Sequence, residues 1–412
     1  MSEVEPGSEK SPPRPGTGFS RFLEAEPGRL HVAAHSHHPW PDVSFAAQQE
    51  SWLDAARLMD HKWDRVFGTV LPELQRWVAR RLSLPDPSTI AVAPNTHALV
   101  VRILSCLDPP VRVLTTDGEF TSFERQIRRL AEDDLVRVER VPTAPLRTLN
   151  ARLADAAARG GHDLVYFSHV LFGSGGVVDD LAAVVEAVPS DDTFVVIDGY
   201  HGFMALPTDL SAIADRAFYL AGGYKYAMAG EGVCFAHCPP DYGPRPRITG
   251  WFADFAALTD GRSGFAGGDT QRLVGYAPAG RRFLGATFDP SGMYRFNAVQ
   301  RWLDASGWTV AAIHRHVQTL QRRFLAELAA LPLAPLQTAA LAASPHDGPH
   351  GHLLAFHHQH AAAVTAALAG RQVVVDHRGN HVRIGFGIYH DVDDITALME
   401  RLSSVAHNQP HH

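Results

Sequence analysis

Two hydrophobic periods alternate along this chain. Short apolar runs at 90–92, 111–115, 164–167, 193–197 and 217–220 end in polar or glycine-rich clusters and read as buried strands. Between them apolar residues recur at threes and fours. Trp52, Ala56, Met59, Trp63, Val66, Leu71, Leu74, Trp77 and Val78 predict helix across 43–83, and 146–159 and 294–330 carry similar helical patterns. This alternation predicts an α/β fold with a mostly parallel sheet flanked by helices, whose ligands sit at the carboxyl ends of the strands. Residues 233–237 read as an antiparallel return strand. After Pro332 the pattern becomes strand, helix, a two-stranded hairpin around Arg378-Gly379-Asn380 and a final helix, which is a small α+β domain. The expected organisation is a disordered Pro/Gly-rich tail over 1–25, a segment over 26–60 packing with the small domain, a large domain over 61–290, and the small domain over 291–412.

Composition narrows the class. A chain of 412 residues with a net charge of −7 lacks the basic surface that nucleic acid requires. No apolar run approaches the ~20 residues of a membrane helix, and the polar N-terminus has no apolar signal core. The three cysteines, Cys106, Cys234 and Cys238, suit a reducing cytoplasm. Cys234 and Cys238 bound an apolar CFAHC run without a second cysteine pair, and read as buried thiols rather than zinc ligands. The 24 histidines include HSHH at 35–38 and HHQH at 357–360, but neither has the HExxH spacing of a helical metal site, and no metal is expected.

Candidate chemistry concentrates between Asp191 and Gly232. A strand ends at Asp198, with Tyr200 and His201 just beyond, and Lys225 follows within a Gly/Tyr stretch, GGYKY. A carboxylate at a strand end can keep a pyridine nitrogen protonated, while a lysine amine can form a Schiff base with an aldehyde; together they suit pyridoxal 5'-phosphate (PLP). Upstream, Asn95-Thr96-His97 opens a helix, and free N–H groups with the helix dipole make such an opening an anion site.

These residues resemble the cofactor core of kynureninase, within the class V aminotransferase superfamily of fold type I PLP enzymes. The motifs that carry the resemblance are IDGYHGF (197–203), GGYKY (222–226), SHVLFGSGG (168–176), RRFLGATFDP (281–290) and VVVDHRGNHVRIGFGIYH (373–390). The resemblance implies that Lys225 holds PLP and acts as base. It implies that Asp198 and His201 support the ring, that Phe120 stacks on it beside Ser122, and that His169 lies beside the cofactor. Asn95, Thr96, His97 and Tyr224 would hold the phosphate. Trp251 and Thr287 would complete the site of a partner in a homodimer. Arg383 would clamp the α-carboxylate of a small amino-acid substrate, with Ser36 and His37 lining the substrate pocket and Tyr224 also donating a proton. The activity it implies is hydrolytic Cβ–Cγ cleavage of a kynurenine-type amino acid. Asp289-Pro290 stands where kynureninase carries Asn-Pro, and the HSHH turn replaces an Asn-Ser-Leu-Gly turn. The alternatives are transamination, β-elimination from a sulfur or selenium amino acid, and a non-catalytic binding role.

Overall fold

The computed structural model of the chain describes residues 16–256, 273–331, 335–346 and 348–406. Its centre is a seven-stranded sheet in the order β2-β8-β7-β6-β5-β3-β4. These strands are β2 (Ile90–Ala93), β3 (Val111–Thr116), β4 (Val136–Val141), β5 (Leu164–Ser168), β6 (Phe194–Asp198), β7 (Ala217–Gly222) and β8 (Cys234–His237). The pairs among β4, β3, β5, β6 and β7 are parallel, whereas β8 runs antiparallel to both of its neighbours, as its position after a tight return predicts.

Burial on both faces explains the unbroken apolar runs. Along β6, Val195 and Ile197 enter one core while Phe194 and Val196 enter a second core across the sheet. Strand β4 escapes the sequence pattern because it is an edge: VRVERV alternates apolar with charged residues, and only Val136 and Val141 are buried.

Two long helical patterns divide. Over 43–83 the helix Val43–Leu58 ends at Met59, whose φ is 50°, and a new helix runs over Leu71–Leu82. Over 294–330 the helices are Ser291–Ala305 and Val310–Ala329, parted at Gly307, whose positive φ of 75° suits glycine. A periodic apolar pattern survives such a break because both halves pack on neighbouring surfaces.

A separate core gathers Val317, Leu320 and Phe324 with Phe356, Val382, Ile384, Leu398 and Leu402. It is built on β9 (Leu354–His357), β11 (Asp376–Arg378) and β12 (His381–Ile384) with the helices Ala361–Ala369 and Val392–Ala406. The helix Ser291–Ala305 instead buries Met293, Phe296 and Val299 in the large core.

The N-terminal residues also differ from expectation. Residues 1–15 lie outside the described residues, but 16–25 are packed: Phe19 is 1% exposed and meets Trp302 edge-on at 5.6 Å. Strand β1 (Leu30–His31) pairs in parallel with β10 (Val373–Val374), which joins this segment to the small domain. The following helix, Val43–Leu58, turns to the large domain, where Tyr294 Oη donates to Asp54 at 3.0 Å. Among the described residues no helix is long and apolar enough to cross a membrane.

Candidate active site

Strands β5 and β6 end side by side, with Ser168 opposite Asp198. Beyond them opens a cavity of about 450 Å3 whose walls include Asn95, Thr96, His97, Phe120, Ser122, Ser168, Asp198, Tyr200, His201, Tyr224, Lys225 and Arg383. It lies at the carboxyl ends of the parallel strands, where the topology places ligands.

Asp198 is 9% exposed and accepts from Tyr166 Oη and from the Tyr200 N–H, both at 3.0 Å. Among the described residues it makes no ion pair, and burial pushes its carboxyl above the usual range. A buried acid without a cation at the cavity wall fits a protonated ring nitrogen. Gly199 must follow it, since a Cβ there would lie 2.0 Å from the Tyr219 ring.

Lys225 Nζ hydrogen-bonds His201 Nε2 at 2.6 Å and lies 5.7 Å from the centre of the Phe120 ring. Burial, with the nearby Arg383 guanidinium second, lowers the lysine to about 7. Burial also drives His201 well below its ordinary value, with Lys225 adding to the shift, so the imidazole beside the amine is neutral. Phe120 is 41% exposed and meets Phe172 edge-on at 5.3 Å, which forms an aromatic wall at the cavity mouth.

At the opposite end Asn95 caps the helix Thr96–Leu104, its Oδ1 accepting from the Ala98 N–H at 2.9 Å. The positive end of that helix and the side chains of Thr96 and His97 meet the cavity, an arrangement suited to a phosphate.

Arg383 is 3% exposed. Its Nε donates to Asp376 Oδ1 at 2.9 Å, its Nη2 donates to Asp376 Oδ2, and its Nη1 donates to the Phe172 carbonyl at 2.7 Å. Asp376 is held well below the usual carboxylate range, although burial opposes the shift, because His35 and Arg383 both donate to it. Arg378, also on the cavity wall, carries a half-exposed guanidinium 3.8 Å from Asp376.

Four candidates fall outside the cavity lining. His169 follows Ser168 and points the other way, as alternation along a strand requires; its Nδ1 lies 3.3 Å from Tyr219 Oη, and burial lowers it to about 4. His37 turns outward to Glu231, 3.5 Å away, and to the edge of Tyr224, while its neighbour Ser36 lines the cavity. Trp251 Nε1 donates to Thr287 Oγ1 at 3.1 Å, and this pair stands elsewhere on the surface. Asp289 also lies outside the lining, its carboxylate accepting from the Ser291 N–H at 2.9 Å and the Ser291 hydroxyl at 2.8 Å.

Sequence reasoning missed several neighbours. Tyr166, behind Asp198, is a buried strand residue whose hydroxyl gives no signal in one dimension. Glu119, just before Phe120, accepts from Ser168 Oγ at 2.6 Å and from the Thr116 hydroxyl; burial raises it to about 7. Arg378 was legible through its hairpin position, two residues after Asp376.

The fold and cavity define a fold type I enzyme built to hold PLP: a lysine amine, an unpaired buried carboxylate, an aromatic wall and an anion-binding helix end face one space. The chain belongs to the class V aminotransferase family, whose model, described as "Aminotransferase class-V", matches residues 47–398. PLP is the cofactor of this family. Isopenicillin N epimerase of Streptomyces clavuligerus is 33% identical over 175 residues, 40% of this chain and 43% of that protein, so the match spans less than half of the relative. Among solved structures, the cystine C-S lyase C-DES with its product cysteine persulfide superposes with a TM-score of 0.76 at 19% identity, covering 93% of this chain and 99% of that one. The cysteine desulfurase of Thermococcus onnurineus NA1 gives 0.76 at 16% identity, over 96% of this chain and 99% of that one. At such identities these two likenesses speak for the fold alone.

Proposed function

We propose that this protein is a PLP-dependent lyase that removes the α-proton of an amino acid and expels a sulfur or selenium substituent from its β-carbon. The observation that carries this reading is the convergence of Lys225, Asp198 and Arg383 on one cavity. Bound there, PLP supplies an aldehyde for the amine and a ring that withdraws electrons from the α-carbon. Asp198 holds a proton at the ring nitrogen, with Tyr166 and the Tyr200 N–H fixing its orientation. Thr96, His97 and the helix end bind the phosphate, and Phe120 with Ser122 closes the mouth. Arg383 binds the substrate carboxylate through the guanidinium N–H groups that Asp376 and the Phe172 carbonyl leave free. Lys225, lowered toward neutrality, takes the α-proton, and the hydrogen bond to His201 holds its amine in place. The Cβ–S bond then breaks with its electron pair on sulfur, and after hydrolysis the carbon skeleton leaves as a 2-oxo acid and ammonia.

Sulfur release is favoured over transfer to the enzyme because none of Cys106, Cys234 and Cys238 lines the cavity. A second reading, inversion at the α-carbon, is supported by the 33% identity to isopenicillin N epimerase. Kynurenine hydrolysis has less support: neither His37 nor Asp289 lines the cavity, and the relatives reported above are an epimerase, a C–S lyase and a desulfurase.

The protein is also proposed to act as a homodimer. Phe45, Trp52 and Met59 lie seven residues apart along one side of 43–59, and Trp52 and Met59 are 69% and 70% exposed, an apolar stripe suited to a second copy. Trp251 and Thr287 would then serve the partner's site.

The test is to incubate PLP-loaded protein with L-cystine, L-cysteine and L-kynurenine and to follow pyruvate, sulfur release, anthranilate and α-proton exchange in D2O. Pyruvate with released sulfur, lost in Lys225→Ala, is the expected result. Exchange and inversion without pyruvate would establish the epimerase reading, and anthranilate the kynureninase one.

A further inference from the structure

His35 is 0% exposed, and its single polar contact among those identified is Nε2 to Asp376 Oδ1, at 2.9 Å. A carboxylate only accepts, so the imidazole proton sits on Nε2. Nδ1 is then a bare lone pair, and it is buried without a hydrogen-bond partner among the described residues. It faces Gly385, where a Cβ would lie 2.5 Å away. Burial lowers this histidine to about 4, so the donor is neutral near pH 7.

Asp376 is therefore gripped from two ends of the chain. His35 comes from the N-terminal segment, which is stitched to the end of β12 where the Gly385 N–H donates to the Val32 carbonyl at 2.8 Å and the Ala34 N–H to the Gly385 carbonyl at 3.1 Å. Arg383 comes from β12 itself. Arg378 competes for the same carboxylate from 3.8 Å away. A donor at His35 holds Asp376 toward Arg383 and leaves Arg378 as the outer, half-exposed partner of that carboxylate on the cavity wall. Because that donor is neutral, Asp376, Arg378 and Arg383 keep a combined charge of +1, which matches one α-carboxylate.

We propose that His35 is a positioning residue for the substrate carboxylate: through Asp376 it sets the orientation of Arg383. This rests on the reading of Arg383 as the carboxylate clamp given above. It separates His35 from its neighbours, since Ser36 faces the cavity and His37 faces outward.

The test uses PLP-loaded protein and two amines, glycine and methylamine, which differ by the carboxylate. Each is titrated while the visible absorption of the lysine-bound cofactor is followed. In His35→Asn, whose side chain is too short to reach Asp376, glycine is expected to bind about tenfold or more weakly, while methylamine changes little. His35→Gln carries an N–H to the position of Nε2 and should restore glycine binding. If His35→Asn does not fold, Asp376→Asn should show the same glycine-specific loss. Unchanged glycine binding, equal weakening of glycine and methylamine, or no advantage of Gln over Asn overturns the proposal. Wild-type protein that gives no absorption band with PLP overturns the proposed function itself.

Discussion

Lys225 shows how burial prepares one side chain for chemistry. With its value lowered to about 7, the amine is largely unprotonated just above neutrality, whereas an exposed lysine would be ammonium until about pH 10. The sign follows directly: the cation loses solvation and faces Arg383, so its charged form is disfavoured. PLP uptake by cofactor-free protein, followed by the growth of visible absorption, should speed up as pH rises and level off above about 7. Arg383→Gln removes the second cause and should move that midpoint upward. A midpoint unchanged in that variant would exclude Arg383 as a contributor. At this scale the one-dimensional reading singled out Lys225, Asp198 and Arg383 because each sits in a motif, and all three line the cavity. It could not tell the histidines of HSHH apart: His35, His37 and His38 are alike as residues, and only backbone direction decides that His35 is interior and His37 is outside.

The elements decide where charges end. Asn95 closes the helix Thr96–Leu104, and Asn95→Ala should cost about 1 kcal/mol by removing the cap. Asn95→Asp keeps the cap but adds a negative charge at the proposed phosphate site. Calorimetry should therefore find Asn95→Asp near wild-type stability, while equilibrium dialysis finds its PLP affinity reduced. Equal affinity would remove this turn from the phosphate site. The hairpin is the clearest case of an element read correctly in advance. A two-residue loop at Gly379-Asn380 pairs Arg378 with His381 and Asp376 with Arg383, so the acid and the arginine face each other by register alone. Edge strand β4 and the break at Met59 were not legible, because charged alternation and a single positive φ leave the local pattern ambiguous.

At the scale of the whole molecule, the cavity takes residues from the seven-stranded sheet and from the β11–β12 hairpin, and the N-terminal segment crosses between their cores. If the exposed stripe of Trp52 and Met59 is a dimer surface, sedimentation should find two copies of the wild-type protein. The double variant Trp52→Glu, Met59→Glu should sediment as one, with weaker PLP retention because each site loses Trp251 and Thr287 of its partner. Wild-type protein that is monomeric with full PLP affinity would rule out a shared site.

By itself the sequence determined the α/β class, the parallel sheet and the hairpin that sets Asp376 opposite Arg383, and it singled out Lys225 and Asp198, which the fold brings to one cavity. These depend on periodicity and short spacing, which a chain carries locally. Only the tertiary structure decided that Tyr166 supports Asp198, that Glu119 holds Ser168, that His169 and His37 turn away, and that His35 reaches Asp376, 341 residues along the chain. Such pairings depend on which face of an element is buried and on which distant element covers it, and no local pattern encodes that.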